Sequence, residues 1–307
     1  MYTKKTVIYA KVESPAGTDA APTAGSDAIM AFNVSLDVKP DMKERYAGND
    51  TRSAYASIRG KTVVEVKFDV ELRGSGTAGT APRWGALMKA CDRLEAVSAG
   101  TNVIYTPALT TETCTIWVNI DGILQKVAGC AGDCEIDLIS GEVPYLRFTM
   151  SGIYVLPTDS TIVVPTFDTT IPEIVKGTTT TFGAYAAIIE KINLKFGNKV
   201  VERTSMNEAE GVLAFMVGDR NPTGIMTCEA VLRAESNADF WSYFNSSTIK
   251  ALSLVLGATA GNIVTITADS CVLFAPKYGD REGMRTMDIE FQMARGDGND
   301  EMKIELT

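Results

Sequence analysis

Gly74, Gly76 and Gly79 spell G-x-G-x-x-G between a strand-like run, residues 64–72, and a helix-like run, residues 83–90. In that order the motif can hold a pyrophosphate on backbone N–H groups at a helix N-terminus, the chemistry of a nucleotide-dependent oxidoreductase. The strand contradicts it. Val64, Val66, Phe68, Val70 and Leu72 alternate with Glu65, Lys67, Asp69 and Glu71, which marks an antiparallel strand with one wet face. The first strand of a dinucleotide fold is instead covered on both faces and reads as unbroken apolar sequence. Thr80, Ala81 and Pro82 also separate the last glycine from the helix, with Pro82 suited to a first helical turn. The glycines therefore read as a flexible connection between strand and helix.

Other catalytic arrangements lack their residues. The 307 residues include no histidine, which removes Ser-His-Asp and Cys-His systems, histidine-built zinc sites and the usual proton shuttle. Cys91, Cys114, Cys130, Cys134, Cys228 and Cys271 are too few for a disulfide scaffold, and the C-x3-C of Cys130 and Cys134 has no second pair nearby. They read as small, reduced, apolar side chains. Acidic residues are spread along strands rather than gathered at loop ends, as paired-carboxylate chemistry requires. No enzymatic activity, cofactor or metal is expected. With 38 acidic against 29 basic residues and a net charge of -9, tight binding to DNA or RNA is disfavoured, because that affinity comes from neutralised phosphates. A surface of this sign could instead let DNA slide past. No apolar run approaches the ~18 residues of a membrane span, and the N-terminus leads into a short strand rather than a secretory signal.

The elements that must position any site occur twice. The second half repeats the plan of the first at an offset of 158 residues, as from Leu36 to Leu194. Residues 28–36 align with 186–194 and Glu44-Arg45 with Glu202-Arg203. After a slip of two, 64–73 aligns with 224–233, and each is followed by a helix containing a tryptophan, Trp84 or Trp241. Strands at 114–120, 123–127, 135–138 and 145–154 correspond to 251–256, 263–267, 270–274 and 285–293, with turns at Gly141 and around Gly279. This gives two domains, 1–156 and 182–307, joined by a Thr- and Pro-rich linker, 157–181. Residues 13–27, rich in Ala, Gly, Pro and Ser, bury too little apolar surface to order alone and need a partner. The polar stretch 39–61 is too long for a simple hairpin turn and reads as a contact arm, with 197–223 as its equivalent.

The runs DVELRGSGTAGTAPRWGALMKAC and TIWVNIDGILQKVAGCAGDCEIDLISGEVPYLRFTMSGIYVLPTD resemble the major tail tube protein of long, non-contractile-tailed bacteriophages. The likeness covers the first half, including the D-G hairpin at Asp121-Gly122 and the turn containing Gly141, Glu142, Pro144 and Leu146. The second half matches by plan. The resemblance implies a mainly β fold, a β-sandwich or partial barrel with one packed helix per domain, in two tandem tail-tube-like copies. It implies a structural virion protein whose subunits close into homotrimeric rings of six quasi-equivalent domains. Those rings would stack into the hollow tube of the virion tail, assembled in the host cytoplasm, through which double-stranded DNA passes without tight binding. Tail terminator, tape measure and baseplate or tip proteins would be its other partners, with no membrane involved.

On that reading the wet strand faces supply lumen-facing acids, Glu65, Asp69, Glu71, Glu135, Asp137, Glu229, Asp288 and Glu290. Alternation alone leaves open whether each faces the lumen or an outer surface. Lys43, Glu44, Arg45, Tyr46, Asp50, Arg52 and Arg59 would bridge subunits or rings, and the N-terminal arm would do the same. A second reading is a β-sandwich adhesion or carbohydrate-binding module, with Tyr46, Tyr55, Trp117, Trp241 and Tyr243 as stacking aromatics. The strand position of Trp117 and the helix position of Trp241 favour core packing instead.

Overall fold

Alternating apolar and polar residues set strands along most of the chain. The structure, a computed structural model, describes residues 2, 4–186, 188–235 and 237–307. The first half runs β1 (Thr6–Val12), β2 (Ala28–Ile29), β3 (Ala31–Lys43), β4 (Ile58–Glu71), helix α1 (Gly85–Ala90), β5 (Arg93–Ser98), β6 (Asn102–Pro107), β7 (Cys114–Ile120), β8 (Ile123–Ile139) and β9 (Tyr145–Tyr154). Beyond β10 (Thr158–Asp159) come β11 (Thr179–Phe182), β12 (Ile189–Lys195), β13 (Asn198–Thr204), β14 (Val212–Arg220), β15 (Thr223–Glu229) and helix α2 (Phe240–Asn245). The chain ends with β16 (Lys250–Leu256), β17 (Val264–Leu273), β18 (Lys277–Arg281), β19 (Met284–Met293) and β20 (Lys303–Leu306).

Eight strands form one continuous antiparallel run, β3-β4-β9-β8-β12-β15-β19-β18. Its apolar face, which includes Val66, Phe68, Phe148, Ile136, Leu194, Met226, Ile289 and Phe291, is buried. A second layer covers it: β2-β1-β7 with the first part of β8 on one side, and β11-β16-β17-β20-β6-β5 on the other. Phe68 against Phe148, with ring centroids 5.6 Å apart, and Phe182 against Phe291, 5.3 Å apart, fill the space between the layers. β8 serves both layers, because a register shift between Ala128 and Ala131 bends its 17 residues from one sheet into the other. Residues 123–127 and 135–138, read from sequence as separate strands, are its two ends. In the second half, β17 and β18 follow the same course but are interrupted at Pro276, which cannot donate to a ladder. Gly279, expected at a turn, lies inside β18 opposite Thr286. The turn is Glu282-Gly283, with φ of 50° and 90°, the left-handed pair that a two-residue hairpin requires and that Asp121-Gly122 also adopts.

Three connections differ from the sequence reading. The glycine segment is a close backbone approach. Gly74 donates its N–H to Asn262 Oδ1 (2.8 Å) and Gly76 donates to the Gly261 carbonyl (3.0 Å). A Cβ on Gly74 would overlap that carbonyl, and one on Gly79 would overlap backbone at Ser98 and Gly100. The N-terminal segment finds its partner within its own chain. Buried Glu13 accepts from Gly17 N, Thr113 Oγ1, Thr115 Oγ1 and Gly129 N, and Asp19 holds Trp117 Nε1 (3.0 Å) and Lys126 Nζ (2.9 Å). The polar stretch 39–61 is ladder at its two ends, 39–43 and 58–61, and loop over 44–57, and 197–223 contains the hairpin β13–β14.

The halves also interlock. β20 pairs with β17 on one edge and with β6 of the first half on the other. Residues 160–178 contain no strand, yet Arg73 donates to the Asp168 and Thr170 carbonyls, and Asn262 Nδ2 donates to the Ile171 carbonyl (2.9 Å).

Candidate functional site

The ladder register places all eight acids picked from the sequence on one face of the eight-stranded run. Glu65 lies opposite Ser151, Asp69 opposite Arg147 and Glu71 opposite Tyr145; across β9, Arg147 faces Glu135 and Tyr145 faces Asp137. Asp137 lies opposite Asn193, Asn193 opposite Ile225, and Ile225 opposite Glu290. Asp288 and Glu229 keep the same parity through Thr227 and Thr286. Because strand side chains alternate strictly, one matched pair fixes the face of every residue along both strands.

The same face carries bases, which makes it a mixed lattice. Lys39 and Lys67 both reach Glu65 (2.9 Å each), Arg147 reaches Asp137 (2.7 Å), and Lys195 reaches Glu135 (2.8 Å). Lys277 reaches Glu290 (2.5 Å), and Arg281 bridges Glu229 (2.9 Å) and Glu190 (3.0 Å). Asp69 accepts from Asn33 Nδ2 (2.8 Å) and Asp288 from Thr227 Oγ1 (2.7 Å). Hydrogen bonds from Lys39 and then Lys67 hold the Glu65 carboxyl below its ordinary range, and Glu65 in turn raises Lys39. Asp133, on the same face, is pushed up by burial. The bases were visible in the sequence, since Lys67 stands between Glu65 and Asp69 in the same alternating set. What was missing was the register that brings Lys39, Arg147, Lys195, Lys277 and Arg281 beside those acids.

The predicted bridging residues divide. Residues 44–57 are exposed and project beyond the β3–β4 ladder, carrying Glu44, Arg45, Tyr46, Asp50 and Arg52, with Lys43 at its base paired to Asp41 (2.7 Å). Arg45 lies over the Tyr55 ring at 5.8 Å, and the Tyr46 hydroxyl donates to Glu44. Arg59 belongs to β4, where it pairs with Glu210 (2.5 Å) while Lys61 pairs with Glu202. These contacts fasten the β13–β14 hairpin, whose Val212 and Phe215 pack against Ala131, with Val63 and Ile153 alongside. At the outer margins of the run, β3 pairs only with β4 and β18 only with β19 among the described residues.

A family model described as phage tail tube protein matches residues 3–300. The chain belongs to the phage tail tube protein family. No curated protein matches it. Tail tube membership agrees with the mainly β architecture and marks a structural component of the virion tail that assembles with copies of itself. The nucleotide reading loses its residues, whereas of the five stacking aromatics Tyr46 and Tyr55 stay exposed on the 44–57 loop. The glycine segment is packed against Gly261 and Asn262, leaving no space for a phosphate at Gly74. Of the aromatics, Trp117 is held by Asp19 and lies beneath Lys126 (4.2 Å), Trp241 is bonded to the Tyr278 hydroxyl (3.0 Å), and Tyr243 packs on Phe240 beneath Lys250 (3.9 Å).

Proposed function

We propose that three copies close side by side into a ring, that rings stack into the tail tube, and that the charged face of the eight-stranded run forms the lumen wall along which double-stranded DNA passes. The observation that carries this reading is a single sheet with one buried face, one charged face covered at one end by the β13–β14 hairpin, and a strand with an unpaired edge at each margin. Exposed strand edges recruit other chains, and closure into a barrel removes them. At ~4.8 Å between strands and a tilt of ~40°, twenty-four strands from three copies make a barrel about 48 Å across at the backbone. Side chains of ~6 Å on each side leave roughly 36 Å, ample for a duplex about 20 Å wide. Two copies would leave only about 20 Å by the same geometry.

The tandem duplication finds support in ladder order. Strands β1-β7-β8-β9-β4-β3 in the first half follow the same sequence as β11-β16-β17-β19-β15-β12 in the second. In the lumen, most basic groups already hold carboxylates at 2.5–2.9 Å, with exposed Lys191 the exception among the described residues, so at most positions a phosphate must displace an acid to be held. This suits transport without tight binding. Residues 44–57 serve as the bridge to an adjacent subunit or the next ring, where complementary charge fixes orientation. The finished tube would meet terminator, tape measure and baseplate or tip proteins after assembly in the host cytoplasm.

Negative-stain electron microscopy of the purified chain should show rings or hollow tubes with threefold symmetry, and persistent monomers at high concentration across a range of salt would refute the reading. Deleting residues 42–57 should leave a folded, soluble subunit that no longer polymerises. Tubes of normal length from that variant would remove the loop from the assembly.

A further inference from the structure

The chain contains one edge-to-edge joint between its halves, and that joint specifies another. Through it, β12 pairs with the end of β8, with Lys195 opposite Glu135, Asn193 opposite Asp137 and Lys191 opposite Ile139. Each of these strands has a counterpart whose corresponding edge is unpaired among the described residues. Leu72 N–H bonds the Pro144 carbonyl just past β4, and Ala230 N–H bonds the Arg285 carbonyl just past β15, which makes Leu72 the counterpart of Ala230, Glu71 of Glu229 and Glu65 of Thr223. Glu65 lies opposite Asp37 of β3, and Thr223 lies opposite Lys195 of β12, so Asp37 corresponds to Lys195. Glu71 leads through Tyr145 to Asp137, and Glu229 leads through Thr286 to Gly279, so Gly279 corresponds to Asp137 and Lys277 to Glu135.

We propose that β3 of one copy pairs antiparallel with β18 of a second copy, with Asp37 opposite Lys277 and Ser35 opposite Gly279, up to the bulge in β3 between Phe32 and Ser35. The internal joint closes on Lys195 and Glu135, 2.8 Å apart; the joint between copies closes on the same two positions with the signs exchanged. Both side chains reach solvent, with 64% of Asp37 and 66% of Lys277 exposed, and each keeps a neighbour within its own copy, Lys39 at 3.9 Å and Glu290 at 2.5 Å. A slip of two residues would put Lys39 opposite Lys277, and like charges directly opposite oppose pairing. A slip of one would set outward Asp37 against inward Tyr278, a pleat mismatch, since Leu36 is held inward opposite Val66 and Tyr278 opposite Met287 within their own chains. In the proposed register Leu36 meets Tyr278, which is 56% exposed.

This pairing rests on the ring reading, and cysteine cross-linking separates the two. Directly opposed antiparallel residues lie within reach of a disulfide, whereas Asp37 and Lys277 of one copy stand seven strand spacings apart, about 34 Å. All six native cysteines are buried, so the unmodified chain supplies the background. Oxidised assemblies of the Asp37→Cys, Lys277→Cys double variant should run as covalent dimers and trimers on non-reducing gels. The Lys39→Cys, Lys277→Cys pair should cross-link at least tenfold less. Tubes that form normally yet give no disulfide at 37 and 277, or that prefer 39 and 277, overturn the register and leave the ring reading standing; no polymer from the unmodified chain overturns both. In a second arm, Asp37→Lys should block assembly and Lys277→Asp in the same chain should restore it. Tubes from the single Asp37→Lys variant at the unmodified yield overturn the ion pair.

Discussion

Gly74→Ala separates two physical accounts of the glycine segment by the sign of its effect. If the segment were slack, alanine would restrict the unfolded chain and stabilise the protein by about 0.4–1 kcal/mol, since Gly74 does not have positive φ. In the structure a Cβ there overlaps the Gly261 carbonyl oxygen and crowds Asn262 Cα at 3.0 Å, both backbone atoms. A Cβ on Gly74 would sit 2.0 Å from that oxygen, so the segments must separate by more than ~1 Å to reach ordinary contact, an overpacking cost of roughly 1–3 kcal/mol. The shift also weakens the bonds from Gly74 N–H to Asn262 Oδ1 (2.8 Å) and from Gly76 N–H to the Gly261 carbonyl (3.0 Å). Stranding a buried donor costs a further ~1–3 kcal/mol. The expected loss is about 2–6 kcal/mol, a fall in Tm of roughly 3–9 °C for a chain of this size. Thermal unfolding followed by circular dichroism reads it directly. Gly48→Ala is the control, since a methyl group at Gly48 would meet nothing within 4 Å and the residue has no positive φ; it should stay within ~0.5 kcal/mol of the unmodified chain. A Gly74→Ala variant as stable as the control, or more stable, would refute the close-approach account.

Glu13→Ala should lower stability by about 2–4 kcal/mol, because Gly129 N–H is buried and cannot re-aim while the Thr113 and Thr115 hydroxyls can; urea unfolding checks it. Thiol titration of the native protein should find fewer than one reactive cysteine, rising to six on denaturation. Burial covers all six and raises Cys91 and Cys134 well above their usual value, Cys228 to about 11 and Cys271 to about 12. Glu65 and Glu305 have depressed folded-state pKa values, so the stability they contribute is present above about pH 4 and is lost as pH falls through their folded-state range. Asp133, raised by burial, contributes the opposite slope. Urea midpoints between pH 7 and pH 3 should therefore fall less steeply in Glu65→Gln than in the unmodified chain.

Strand identity was legible because one wet and one dry face force a period of two, and residues 64–72 state it without ambiguity. The same alternation selected eight acids that share a face in the folded chain. It could not show their basic partners, since Lys39 meets Glu65 and Lys195 meets Glu135 only through ladder register. Nor could it show that residues 128–134 carry β8 from one layer to the other, because Ala, Gly and Cys give no periodic signal there. The hairpin β5–β6 and the strand β20 are illegible for a related reason: short strands acquire their meaning from the neighbour they join, here the opposite half of the chain.

Composition and pattern by themselves determined a β-rich chain without histidine chemistry, carrying charge on alternate residues, and raised the expectation of a repeated plan. Tertiary structure alone decided what the glycines do and where the edges lie. A glycine's role depends on what would meet its missing side chain, and Gly74 meets a carbonyl 187 residues away at Gly261. An edge is free only when no other strand arrives to pair with it. Both are properties of distance in space, which local sequence does not encode.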